Sequence, residues 1–373
     1  MACRRYCSAW STDAIGSHEG AALSHLLKLL TGPEDIGRSR WFWAVFVAVC
    51  TLLFVYPYWL SEFEATNNAY YLLNVPIALG LALLWGYCGI LSFGQVAYFG
   101  IAGYVYGIVA GNMTGNAFGP LVGSLCGLAV CAIAAAMFGY FVFYGRVQNW
   151  IVPILTLVLS LLLETFLGQT AGYQWRIGTV QLGGYNGMTG IPSFQIGRFV
   201  ITGYSFYYYV LIIVVVAYLA MRILVNSQYG KVMLAIREDP IRTELLGYDI
   251  RARRLVVFVL AAISAGVSGL LYVQWGNYIT PSQVGLLQAS LPVIWVAVGG
   301  RESLLAVLLS TCALNWLNYT LSSEGYQYAL IIIGVLLVVV MLFFPDGIIV
   351  TLARDVPSRG WRALVGLHKG KSG

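Results

Sequence analysis

Residues 120–144 read PLVGSLCGLAVCAIAAAMFGYFVFY, without one Asp, Glu, Lys, Arg or His. As a helix rising about 1.5 Å per residue, the stretch is about 37 Å long, more than the ~30 Å hydrocarbon core of a bilayer. A soluble surface helix keeps a charged face toward water, and this one has none. Its place is in lipid.

The same pattern recurs outward in both directions, at 41–60, 69–86, 94–111, 150–168, 204–224, 255–275, 285–300, 303–320 and 326–344. The chain is 59% hydrophobic and only 10% charged, against about 25% charged in ordinary soluble domains. The sequence therefore predicts an all-α polytopic transmembrane bundle of about ten spans. One membrane domain, 41–350, lies between a cytoplasmic arm, 1–40, and a cytoplasmic tail, 351–373. Gly and short polar breaks at 69–111 and 285–320 predict broken or re-entrant helices, tolerated where protein or a water-filled cavity covers the backbone. The 42 glycines suit close helix packing.

Charge gives the orientation. With both termini inside, every Lys and Arg except Arg176 and Arg198 falls on the inner side, as the positive-inside rule requires. The net charge of +6 is then a topology signal and a contact to anionic lipid, with no nucleic-acid partner implied. Two loops stand out: a Gly-rich outer loop, 169–203, and a highly charged inner loop, 225–254. Within the inner loop Gln228–Arg237 has helix-forming composition. Asp239 then sits where an N-cap belongs, Pro240 at the first helical position and Gly247 just past the end. A helix of two turns follows, with Ile241 and Leu245 on one face beside Leu246. Alone in water it would be marginal, so the membrane domain or a partner must hold it.

Catalytic chemistry is not available. His18, His25 and His368 lie in the terminal arms, so neither an intramembrane zinc motif nor a Ser–His–Asp triad can form. Glu164 is the one acidic residue expected inside the spans. Cys3 and Cys7 lack a His cluster, and Cys50, Cys88, Cys126, Cys131 and Cys312 read as small hydrophobes. Gly370-Lys371-Ser372 resembles the end of a phosphate loop, but Val365 stands where its first Gly belongs. No enzyme activity, metal or cofactor is expected of this chain. A carrier driven by protons or sodium needs intramembrane ionisable groups, and one Glu is thin provision. Energy is expected from outside, delivered at the inner loop.

Several segments resemble permeases of the branched-chain amino acid ABC importers. They are Gly86-Tyr87-Cys88-Gly89-Ile90-Leu91-Ser92-Phe93-Gly94-Gln95 with Ala97-Tyr98-Phe99-Gly100-Ile101, and Gly183-Gly184-Tyr185-Asn186-Gly187-Met188-Thr189-Gly190-Ile191-Pro192. Ala235-Ile236-Arg237-Glu238-Asp239-Pro240 through Leu246-Gly247 resembles the coupling segment, and Phe344-Pro345-Asp346-Gly347-Ile348 the ending. The motifs run in order over roughly 69–350. Val293-Ile294-Trp295-Val296-Ala297-Val298-Gly299-Gly300-Arg301 is more similar to the urea branch, whereas Gln95 stands where urea permeases often carry His. Branched-chain amino acids lead, with urea and short amides as the alternative and a self-sufficient channel as the reading from another class. The resemblance implies a second homologous permease, two ATPase subunits that bind ATP-Mg, an extracytoplasmic solute-binding protein, and alternating access in a bacterial inner membrane.

Candidate path residues are Ser92, Gln95, Tyr98, Asn74, Glu164, Gln274 and Trp295. The plainer readings are helix–helix hydrogen bonding for Ser92 and Gln95, packing for Asn74 and Gln274, a reach to headgroup water for Glu164, and lipid packing for Trp295. Asn186 is either a binding-protein contact or part of a tight turn. For coupling to the ATPases the candidates are Arg237, Glu238, Asp239, Pro240, Ile241, Leu245, Leu246 and Gly247, and the plainer reading there is a charged loop obeying the positive-inside rule.

Overall fold

The computed structural model describes residues 40–197 and 199–323 and the single positions 334, 335, 342, 347 and 351. Apart from Arg40 and those single positions, the expected span at 326–344 and the terminal arms, with the three histidines, lie outside the described residues.

Helices α1 (Arg40–Val55), α2 (Glu62–Leu73), α3 (Val75–Ala82), α4 (Gln95–Asn112), α5 (Gly119–Tyr144) and α6 (Val152–Gly168) form the first half. A π-helical turn, Leu83–Tyr87, extends α3. The outer loop carries two-residue strands β1 (Arg176–Ile177), β2 (Val180–Gln181), β3 (Met188–Thr189), β4 (Gln195–Ile196) and β5 (Phe199–Val200). Then follow α7 (Tyr204–Asn226), α8 (Gln228–Glu238), α9 (Pro240–Leu245), α10 (Ile250–Gly276), β6 (Tyr278–Ile279), α11 (Leu286–Gly299) and α12 (Leu304–Ser323).

The remaining nine expected runs all fall in these helices. Six described helices are long and apolar enough to cross a membrane: Phe42–Trp59, Glu62–Tyr87, Gly119–Tyr144, Tyr204–Asn226, Ile250–Gly276 and Leu304–Ser322. Val152–Gly168 and Leu286–Gly299 are apolar but shorter. The second span begins seven residues earlier than its apolar run, because Ser61 and Glu64 form a reciprocal capping box at 62. Glu62 and Glu64 thus join Glu164 on membrane helices, both exposed in the first turn.

Burial separates the inner helices from the rim. The most apolar windows of Glu62–Tyr87 and Ile250–Gly276 are 72% buried, that of Phe42–Trp59 only 6%. The centre is the packing of α10 against α3, α4 and α5. Glycine permits it: a Cβ at Gly269 of α10 would overlap the Phe99 carbonyl of α4. Helix α1 faces lipid with Val45, Val47, Leu52 and Phe54 exposed. The hydroxyls of Tyr204, Tyr207 and Tyr208 on α7 hold its end by donating to the carbonyls of Leu60, Leu53 and Phe54. Arg222 of α7 is fully buried, with its guanidinium 4.9 Å from the Phe42 ring and 5.3 Å from the Trp43 ring.

The outer loop is more ordered than an irregular Gly-rich stretch. β1 pairs with β2 and β4 with β5, while β3 pairs antiparallel with β6, Met188 opposite Ile279. The β3–β6 ladder pins the loop to the end of α10. Between this loop and the charged inner loop runs α7, whose 23 residues span about 34 Å, so the two loops lie at opposite ends of the bundle.

Candidate functional site

Two interrupted helices face each other at the centre. On the first side Asn74 separates α2 from α3, and Pro76 follows in the first turn of α3. Proline cannot continue a backbone ladder, and the freed Ile77 amide donates instead to Ser268 Oγ, 2.9 Å away. On the second side Pro292 lies inside α11, where it cannot donate to the carbonyl four residues back. Asn74 Nδ2 donates to Asn315 Oδ1 of α12 at 3.0 Å, and Asn315 Nδ2 to the Thr311 carbonyl at 2.8 Å.

A cavity of about 60 Å³ opens beside this amide pair. Asn74, Asn315, Asn318, Gln283 and Gln288 supply carboxamides; Tyr70, Phe99, Tyr272 and Trp295 supply rings. Among the described residues, no Asp, Glu, Lys, Arg or His lines it. It is less than half of the ~150 Å³ that admits a benzene-sized solute. A solute as large as an amino acid requires these elements to separate.

Of the seven path candidates, Asn74 and Trp295 line the cavity. Ser92, Gln95 and Tyr98 lie elsewhere, at the second break, 88–94. There Thr156 Oγ1 of α6 accepts from the Phe93 amide at 3.1 Å and Ser92 Oγ from the Gly94 amide at 3.3 Å. Gln95 and Tyr98 follow on the first turn of α4 and share a face. The Gln95 carboxamide and the Tyr98 hydroxyl are buried without hydrogen-bond partners among the described residues. Gln274 Nε2 donates to Ser124 Oγ at 3.2 Å, a helix–helix contact. Glu164 is half-buried against the entry to α11: a Cβ on Gly285 would fall 2.6 Å from Glu164 Oε1. A carboxylate there faces the positive end of the α11 dipole. Asn186 ends a tight turn; Gly187, at φ +75°, presses against the Ile279 carbonyl. The cavity's other amides were missed, although Asn315 and Asn318 stand three apart within an apolar run, the spacing of one helix face.

The inner loop carries the second part of the site. Asp239 Oδ1 accepts from the Arg242 amide at 3.0 Å and so caps α9; Gly247 follows at φ +88°. Thr243 is buried and anchors the helix, whereas Ile241, Leu245 and Leu246 are 72%, 83% and 74% exposed. Three apolar side chains on and just past this short helix are thus left largely uncovered by the membrane domain. Pro240 lines a cleft between α9 and α10.

Arg237, grouped by its motif with the ATPase-facing residues, turns the other way. Its side chain is 21% exposed. Nη1 donates to the Gly86 carbonyl at the end of the π-helical turn, and Nη2 to Glu302 Oε1 at 2.6 Å in the turn between α11 and α12. Tyr87 donates its hydroxyl to the Glu302 carbonyl at 2.9 Å. Gly86 packs so tightly that a methyl there would overlap the Arg301 carbonyl. The helix preceding α9 is therefore tied to the point where the interrupted segments of both halves meet. Glu238 remains outside, 3.6 Å from Arg237 Nη2.

Residues 69–341 match the family model described as branched-chain amino acid transport system / permease component. The chain is 23% identical to the Escherichia coli K12 high-affinity branched-chain amino acid transport system permease protein LivM, over 87% of this chain and 80% of that one. It is 25% identical to the LivH permease protein of Salmonella typhimurium over 73% of this chain and 90% of that one. A probable LivM of Methanocaldococcus jannaschii is 25% identical over 45% and 53%. No solved structure matches the chain.

Proposed function

This chain belongs to the branched-chain amino acid transport system / permease component family, and from that premise we propose that it is the membrane subunit of an ATP-driven importer for branched-chain amino acids. As a member of that family it is a multi-pass membrane transport subunit, not an enzyme. Its termini face the cytoplasm in this reading, α9 docks on an ATPase subunit, and the outer loop, with Tyr173 and Tyr185 exposed, receives a solute-binding protein. A second, homologous permease completes the membrane part. The observation that carries the reading is the pairing of an exposed apolar face on α9 with an inward tether from Arg237. A partner that moves α9 pulls on both interrupted segments at once. The polar breaks then part around the amide-lined cavity, and their carboxamides replace the water a solute leaves behind.

The cavity favours a second substrate reading. Among the described residues the lining has five carboxamides and no formal charge, which suits an uncharged amide or urea that pairs donor for acceptor with Asn and Gln. A zwitterion would gain no ion pair there. The test is co-purification of the tagged chain from native membranes in mild detergent, followed by uptake of leucine and of urea into proteoliposomes bearing the recovered complex. Recovery of ATPase subunits with ATP-dependent leucine uptake supports the first reading; urea uptake alone selects the second. Recovery of the chain alone, with passive flux, replaces both with a channel.

A further inference from the structure

Behind α9 lies a cleft of about 400 Å³ that the transport path does not use. Arg146, Arg251 and Arg254 line it, with the Glu244 carboxylate on its rim and Phe143, Val147 and Ile250 among its apolar walls. Among the described residues, none of the three arginines pairs with a carboxylate. Three other cations of the inner loop are engaged: Arg237 with Glu302, Arg242 with Asp239 at 3.2 Å, Arg253 over the Tyr229 ring at 4.9 Å. Arg254 Nη1 donates to Asn149 Oδ1 at 3.1 Å, while its Nε is buried without a partner. Arg146 is held at φ +56°, a conformation that costs a non-Gly residue energy and persists where the surroundings over-determine it.

The cleft's depth identifies what fills it. It sits where the long apolar helices α5 and α10 meet the charged inner loop, and helices of their length, about 39 Å, exceed the ~30 Å hydrocarbon core and end among the headgroups. Tyr140, Phe141, Tyr144 and Trp150 project from the same level and are exposed, as residues of an interfacial aromatic belt are. We propose that Arg146, Arg251 and Arg254 form a binding site for the phosphate of an anionic phospholipid, whose glycerol and first methylenes lie on the apolar wall. Basic pockets between membrane helices recognise such headgroups. Because Pro240, Ile241 and Glu244 of α9 share this cleft, the bound headgroup braces the exposed helix against α5 and α10. The leaflet, though not the site, rests on the orientation proposed above.

Native mass spectrometry of the full chain in mild detergent tests it, titrating with phosphatidylglycerol or phosphatidylcholine. The parent retains phosphatidylglycerol at least fivefold better than phosphatidylcholine. Arg146→Gln/Arg254→Gln loses that preference, and Lys231→Gln, an equal charge loss away from the cleft, keeps it. Arg146→Gln and Arg251→Gln are also read singly, and each weakens retention, so the result does not hang on the buried Arg254. Inorganic phosphate at millimolar concentration leaves the lipid adduct in place. Unchanged preference in the Arg variants overturns the proposal, and displacement by phosphate alone reassigns the cleft to a free anion. Retention in micelles is read without reference to sidedness or transport, so failure here is distinct from failure of the importer reading.

Discussion

Arg237→Ala cuts the tether between the inner loop and the centre of the bundle. Two charge-assisted contacts are lost. Hydrogen bonds to charged groups contribute about 1.5–3 kcal/mol when enclosed, and exposed ion pairs about 0.2–1 kcal/mol. Glu302 is 51% exposed, so that contact takes a low figure, about 0.5 kcal/mol. The Gly86 carbonyl is an uncharged acceptor beneath a largely buried guanidinium and takes about 1.5 kcal/mol. Together, about 2 kcal/mol shifts the balance between tethered and released states about 30-fold. The assay reconstitutes the complex in proteoliposomes and reads solute uptake and ATP hydrolysis in the same sample. ATP hydrolysis persists, the ATPases co-purify as before, and uptake per ATP falls ten- to thirty-fold. Glu302→Gln falls about twofold, in keeping with its smaller share. Arg237→Lys is intermediate, since one ammonium cannot fork to both acceptors. Uptake per ATP within twofold of the parent in Arg237→Ala would refute the mechanical role.

Leu245→Asp removes an apolar contact that contributes about 1.5–3 kcal/mol when buried; recovery of ATPase subunits falls at least tenfold, and unchanged recovery removes α9 from the docking surface. Gly86→Ala drives a methyl into the Arg301 carbonyl and destabilises by about 1–3 kcal/mol, read as a lower thermal midpoint; an unchanged midpoint contradicts the close approach. Gln95→Leu deletes two buried polar atoms that have no partner among the described residues, so stability rises by about 1–3 kcal/mol. A fall in stability would reveal that Gln95 has a structural partner.

Local signals were the legible ones. Residues 120–144 announce a span because no charge interrupts them, and Asp239, Pro240 and Gly247 mark the two ends of α9 by their separate chemistries. Direction was not legible. Arg237 obeys the same charge rule whether it faces water or the bundle, and only packing shows that it reaches Gly86 and Glu302. The capping box at Ser61 and Glu64 lay outside the apolar run and lengthens the second span. The outer loop's strands are two residues long, too short for any alternation to register. Ser92 precedes α4, and Gln95 and Tyr98 share a face of that helix beside the one from which Val96 and Phe99 line the cavity. Asn315 and Asn318 carried a readable spacing, yet each alone resembles an ordinary polar intrusion.

The amide-lined cavity has an electrical consequence. It shares no lining residue with the wider openings at either end of the bundle, and its two central carboxamides are bonded to each other. A cavity of about 60 Å³ has room for only a few water molecules, so the described residues offer no continuous water chain between the two openings. If the assembled importer proposed above rests in this conformation, it spares the membrane voltage while idle, and proton leakage is expected only at the moments when the breaks part.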